Sequence, residues 1–161
     1  MIEPIYLVVS LLMFLAGFFF MEFVAFLMHK YLQHGRLWFL HEDHHRYTKS
    51  RFQKNDSFTI FYSIVTMLLL VFGFFGGFDY RLWFGLGIFF YGMGFFVYHD
   101  MVFHRRIKTR YRPKNKYLLW IINAHRIHHQ KSTATSGVSF GFFLVGKQYE
   151  PTYKKAVQEW K

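Results

Sequence analysis

The chain has 161 residues, 53% of them hydrophobic and 24% aromatic, yet its formal net charge is +11. That pairing is foreign to a soluble globule and ordinary for a membrane protein whose charges gather at one surface. The absence of cysteine excludes disulfides, cysteinyl iron–sulfur clusters and haem–thiolate chemistry.

In chain order, the first predicted element is an apolar run, Ile5 to Met28, whose single charge is Glu22. It is long enough to cross a hydrocarbon core of roughly 30 Å at about 1.5 Å per residue. No basic residue precedes it and no small-residue cleavage site follows, so it is expected to be a membrane helix and not a secretory leader. It runs directly into His29 and His34. Glu22 lies seven residues before His29, on the same helical face. An ionisable group in a span is either functional or faces a polar seam between helices.

A polar stretch from Arg36 to Asn55 carries His41, His44 and His45. Phe58 to Phe78 is a second apolar run without charge, closed by the turn Asp79-Tyr80-Arg81. Leu82 to Val97 begins a third run that ends on His99 and His104. Its glycines, Gly85, Gly87, Gly92 and Gly94, suit close helix packing. A basic stretch, His104 to Lys116, follows, with Pro113 marking a break. Tyr117 to Gln130 is expected to form a short helix bearing His125, His128 and His129. The stretch GVSFGFFLVG (137–146) is apolar but too short to span, and is expected to be a loop or interfacial segment. The tail from Tyr149 is polar and expected to be amphipathic.

These elements predict an all-α integral membrane protein. Three helices cross, at about 5–28, 58–78 and 82–102. A histidine-rich helical cap is formed by 29–57 and 104–161, and the whole makes one domain over 1–161. A fourth crossing or a re-entrant segment at Val138–Gly146 is the open alternative. Of 20 Lys and Arg, only Arg81 falls in the turn between the second and third runs; the other 19 share the histidine side. The positive-inside rule makes that side cytoplasmic.

All ten histidines fall into four boxes, HxxxxH, HxxHH, HxxxxH and HxxHH, so one pair of patterns appears twice. Neutral imidazole is the commonest metal ligand, and ten suggest two metals with about five ligands each. On an α-helix, residues i, i+3 and i+4 share a face, so each HxxHH box is expected to turn three imidazoles toward one spot. Five residues apart, two rings sit about 140° around an α-helix. That pair either straddles one metal at a helix end or feeds two. A dinuclear site of this kind can activate dioxygen on iron and attack a lipid C–H bond. Nitrogen-rich sites favour zinc over ferrous iron, so zinc can substitute for iron in a recombinant sample. Asp100, Asn123, Glu42 and Asp43 flank the boxes and can orient ligands by hydrogen bonding. The cluster Arg105, Arg106, Lys108, Arg110 and Arg112 suits anionic lipid or an acidic electron donor; nucleic acid fits a membrane chain poorly.

The segments LHEDHH, NDSFTIFYS, YHDMVFH and NAHRIHHQ, followed by GVSFGFFLVG, resemble the carotenoid (β-carotene) 3-hydroxylases of the membrane fatty-acid-hydroxylase and desaturase superfamily. The likeness runs from about Met21 to Glu150. Met101 stands where that family usually has glycine. The resemblance implies a bacterial-membrane, non-haem di-iron monooxygenase acting on carbon 3 of each β-ionone ring. Its product series would be β-cryptoxanthin and then zeaxanthin. It would use dioxygen and electrons from ferredoxin through a reductase. His29, His34, His41, His44, His45, His99, His104, His125, His128 and His129 fall on the family's metal boxes. A carotenoid ketolase, a fatty-acid or sterol hydroxylase and a desaturase use similar boxes. A membrane metal- or haem-binding protein is the non-enzymatic alternative.

Overall fold

The computed structural model describes residues 3–46, 50, 52–130, 133–134 and 137–151. Among these there is helix and irregular chain but no strand. The order is α1 (Pro4–Leu27), a π-helical continuation (Met28–Arg36), α2 (Trp38–His45), α3 (Asp56–Phe75), α4 (Tyr80–Phe95), a second π-helical continuation (Phe96–Phe103), α5 (Lys116–His129) and a short 3-10 turn (Lys147–Tyr149). Three stretches, Pro4–Arg36, Asp56–Phe75 and Tyr80–Phe103, are long and apolar enough to cross a membrane, matching the three expected spans. The expected amphipathic tail past Pro151 lies outside the described residues.

The chain divides into two compact units. One contains residues 1–24 and 56–94, the other 25–55 and 95–161. In the first, α1, α3 and α4 pack through small residues. A Cβ added at Gly17 would stand 2.1 Å from the carbonyl oxygen of Phe84, and one at Gly87 would stand 2.1 Å from that of Phe14. The α1 and α4 backbones therefore touch, as helices do in lipid, where close van der Waals contact replaces the hydrophobic drive. Gly85 meets Leu69 and Leu70 of α3, whereas Gly92 faces open space, so close packing accounts for only some of the glycines. Leu7, Leu11, Leu12, Phe19, Phe23, Ile60, Phe61, Ile64 and Phe72 are exposed. With water as solvent that surface would be untenable; with hydrocarbon it is ordinary.

At the α3–α4 turn, Gly77 adopts φ +83° and the Phe78 N–H donates to the Gly73 carbonyl at 3.0 Å. This closes α3 with a left-handed residue where glycine carries no Cβ penalty. Tyr6 Oη donates to the Phe78 carbonyl at 2.7 Å, and Trp83 Nε1 donates to Tyr6 Oη at 3.0 Å. Rings with a polar edge of this kind favour a membrane–water interface. Glu22 is buried in this unit, with the Tyr91 side chain as hydrogen-bond partner. Its partner is on α4, in keeping with a polar seam between helices.

In the second unit α5 begins at a side-chain cap: Asn115 Oδ1 accepts from the N–H groups of Tyr117 and Leu118 at 2.9 and 3.2 Å. Its buried face, Leu119, Ile121, Ile122, Ala124, His125 and His128, recurs at helical spacing. Residues 137–146 form no helix, in keeping with the loop or interfacial segment expected there.

Candidate metal centre

His29 and His34 lie on the first π-helical segment; His99 lies on the second, and His104 caps its end. There the turn widens to i→i+5 bonding, a form that recurs at functional sites. The His104 N–H donates to the His99 carbonyl at 2.9 Å, and the Leu37 N–H to the Leu32 carbonyl at 2.8 Å. A turn that closes on the fifth residue brings that residue back above the first. The 140° offset expected of an α-helix is therefore lost: ring centroids are 5.1 Å apart for His29 and His34 and 4.6 Å for His99 and His104. At His34 and Gly35, inside the first π-segment, the backbone leaves helical geometry and kinks.

The histidines form two groups. His29, His34, His41, His45 and His128 are one; His44, His99, His104, His125 and His129 are the other. In each group one ligand nitrogen per residue lies within 4.8 Å of the rest. Each HxxxxH box thus serves a single group. Each HxxHH box does not. His41 and His45 join the first group while His44 joins the second, and His125 and His129 join the second while His128 joins the first. The expectation of three imidazoles on one spot is corrected here. Successive residues turn by about 100°, so i and i+4 diverge by about 40° while i+3 and i+4 diverge by about 100°. The i+3 ring points past its neighbours to the other group. The groups adjoin, with the His45 and His129 rings stacked at 4.4 Å.

Six of the outer nitrogens have fixed roles, whereas His45 Nδ1 is buried without a partner. His128 Nδ1 donates to the Val138 carbonyl at 2.7 Å, His34 Nδ1 to the Ala134 carbonyl at 3.3 Å and His29 Nδ1 to the Phe140 carbonyl at 3.1 Å. His41 Nδ1 lies 2.7 Å from Asn55 Oδ1, His44 Nδ1 3.1 Å from Gln53 Oε1, and His99 Nδ1 3.3 Å from Asp100 Oδ1. A carbonyl oxygen only accepts, so Nδ1 carries the proton and Nε2 keeps its lone pair. The Nε2 atoms then face one another: His34 and His128 at 3.2 Å, His44 and His99 at 3.0 Å, His41 and His45 at 3.1 Å, His104 and His125 at 3.2 Å. For His34 against His128 two lone pairs meet with no proton between them. The Nε2 atoms of His29 and His129 are buried without a partner. A proton is a poor remedy, because burial depresses the imidazoles: His41 to about 4, His128 to about 3, His45 and His104 to about 2, with neighbouring histidines adding repulsion. Burial also lowers His44, His125 and His129. Neutral lone pairs converging at this range fit a pair of metal cations.

The polar neighbours divide. Asp100 is buried, sits on His99 and takes Arg106 Nη1 at 3.3 Å. Asn123 reaches no imidazole; its Nδ2 donates to the Tyr149 carbonyl and its Oδ1 accepts from Arg126, both at 2.7 Å. Glu42 pairs with Arg46, and Asp43 Oδ2 accepts the Lys54 N–H at 2.7 Å. Glu22 belongs to the other compact unit. Asn55, Gln53 and the Ala134, Val138 and Phe140 carbonyls are the orienting groups that sequence reasoning did not single out. Only Asn55 had a signal, as the first residue of NDSFTIFYS. The 137–146 loop also covers the centre: Phe140 packs at 5.3–5.8 Å from His29, His34 and His128, and buried Phe142 at 6.0 Å from His99.

The fatty acid hydroxylase family model matches residues 14–146. A β-carotene hydroxylase of Pantoea ananas is 38% identical over 122 residues, 76% of this chain and 69% of that protein. A β-carotene hydroxylase of Pseudescherichia vulneris is 35% identical over 127 residues, covering 79% and 72%. A chloroplastic β-carotene 3-hydroxylase of an Oncidium hybrid cultivar is 40% identical over 133 residues, 81% of this chain but 43% of the longer plant protein. No solved structure gives a significant match. With every histidine box inside the matched region, the chain belongs to the fatty acid hydroxylase family.

Proposed function

We propose that the chain is a β-carotene 3-hydroxylase, a membrane-embedded non-haem di-iron monooxygenase that converts β-carotene through β-cryptoxanthin to zeaxanthin. The observation that carries this reading is the pair of five-histidine groups with their lone pairs turned inward. The relatives' activity supplies the substrate class. In the overall change a ring C–H becomes C–OH. One oxygen atom of dioxygen enters the product and the other leaves as water, with two electrons and two protons consumed. Two iron ions would be held by His29, His34, His41, His45 and His128, and by His44, His99, His104, His125 and His129, and would supply dioxygen activation.

The protein's own part is positional. Asn55, Gln53, Asp100 and the loop carbonyls hold the imidazole rings in one tautomer and orientation. Burial keeps His41, His44, His125 and His128 neutral near pH 7, ready to bind metal. Phe140 and Phe142 exclude water from the centre. The carotenoid would come from the bilayer, and electrons from a ferredoxin-type donor. The distribution of Lys and Arg supports an orientation with the histidine unit on the cytoplasmic side; the membrane would be a bacterial cytoplasmic membrane, and the two units would serve a single hydroxylase domain.

Expression in cells that accumulate β-carotene, followed by pigment chromatography and mass analysis, tests the proposal. Appearance of β-cryptoxanthin and zeaxanthin is expected. Unchanged β-carotene in the presence of iron, oxygen and a competent donor would refute it; a ketone or a new double bond would reassign the reaction to a ketolase or desaturase.

A further inference from the structure

We infer that the segment from Arg105 to Lys116 is a docking site for the headgroups of anionic phospholipids. No acidic residue occurs between Met101 and Tyr149, and every second residue from Lys108 to Lys116 is basic. Arg105, Lys108, Arg110, Arg112, Lys114 and Lys116 are all exposed. The odd positions between them carry a different chemistry: Ile107 is 49% exposed and Tyr111 48%, and Tyr117 follows at 43%. Cations interleaved with half-exposed aliphatic and phenolic side chains match a bilayer interface, which offers anionic headgroups beside the first methylenes of the acyl chains. An acidic protein could answer the same charges, but it is the third membrane-capable stretch that ends two residues before Arg105.

The segment is held at both ends and presents its middle. Arg106 Nη1 reaches Asp100 at its start. Pro113 is buried, and Asn115 caps α5 at its end. Between His104 and Asn115 no helical turn forms. Chain connectivity keeps it near a membrane. Arg105 follows Phe103, the last residue of the third membrane-capable stretch, by two residues. That is at most about 7 Å of chain, inside the roughly 8 Å over which charges act at physiological ionic strength. A basic cluster placed directly after a spanning helix is the arrangement in which each Lys or Arg gains most from an anionic leaflet.

The inference stands apart from the proposed reaction and can fail without it. The full chain, purified in an uncharged detergent, is mixed with equimolar phosphatidylglycerol and phosphatidylcholine, and retained lipid is counted by native mass spectrometry. The wild type should retain phosphatidylglycerol preferentially, and 0.5 M salt should erase the preference. The triple variant Lys108→Gln/Arg110→Gln/Arg112→Gln should lose roughly fivefold in preference per neutralised residue. A charge-conserving variant, Lys108→Arg/Arg110→Lys/Arg112→Lys, should keep it. Unaltered metal content in each variant shows that the fold is intact. Equal retention of the two lipids by the wild type would overturn the inference without recourse to any variant, as would a wild-type preference in a folded glutamine variant. Capture of an acidic ferredoxin-type protein, lost in the glutamine variant while lipid selectivity stays unchanged, would reassign the surface to the electron donor and equally overturn it.

Discussion

The crossed assignment of the two HxxHH boxes makes a sharp prediction. His45 and His128 lie 83 residues apart with their Nε2 atoms 3.2 Å apart, in one group. His44, beside His45 in sequence, belongs with His99 and His104. Removing His45 and His128 together leaves three nitrogens in the first group and five in the second. Removing His44 and His128 leaves four in each. A four-ligand structural zinc site is worth about 10–16 kcal/mol, or roughly 2.5–4 kcal/mol per ligand. Two ligands lost from one group therefore cost about 5–8 kcal/mol, a fall of some 10⁴–10⁶ in affinity at about 1.4 kcal/mol per tenfold. One lost from each costs each site only about 10²–10³ and leaves a set sufficient for tetrahedral binding. Elemental analysis after dialysis against a moderate chelator should give about one metal per chain for His45→Ala/His128→Ala and about two for His44→Ala/His128→Ala. The same stoichiometry in both, or the reverse order, would refute the crossed assignment. Box-by-box ligation, in which adjacent His44 and His45 serve one metal, predicts that the two variants behave alike.

Three further outcomes are expected. Asn55→Leu removes the partner of His41 Nδ1 and should weaken metal retention about 10–100-fold, read by chelator competition, while Asn55→Asp, which keeps an acceptor, should restore most of it. Gly87→Val places a side chain against the Phe14 carbonyl and should destabilise the α1–α4 contact by about 1–3 kcal/mol or more, seen as a lower thermal midpoint in detergent; an unchanged midpoint would contradict close backbone contact. For the metal-free protein, burial holds His41 at about 4, below its ordinary 6.5, so between those values the unfolded chain binds a proton that the folded one refuses. Stability is then complete above about pH 6.5 and falls as pH drops toward 4, by about 1.4 kcal/mol per pH unit from this group alone; unfolding at pH 7 and pH 5 measures it, and greater stability at pH 5 would contradict the buried, neutral imidazole.

The sequence by itself determined the membrane-capable helices and the histidine inventory. Apolar runs such as Phe58–Phe78 have only one way to satisfy their backbone in hydrocarbon, so length and hydropathy suffice to find them. The turn at Asp79-Tyr80-Arg81 and the break at Pro113 were legible for a similar reason: both are local chemistry. What only the tertiary structure decided is how the ligands are shared. His44 and His45 are neighbours in sequence; helical spacing turns their rings about 100° apart, but it does not say that His45 shares a group with His29, His34 and His128 while His44 joins His99, His104, His125 and His129. The π-helical turns themselves were hidden, because widening a turn by one residue leaves no mark in composition and is stabilised by the contacts it permits. The same holds for Gln53 and the carbonyls of Val138 and Phe140. A backbone oxygen has no sequence signature, and folding alone brings Val138 back to His128 and Phe140 back to His29, 111 residues away along the chain.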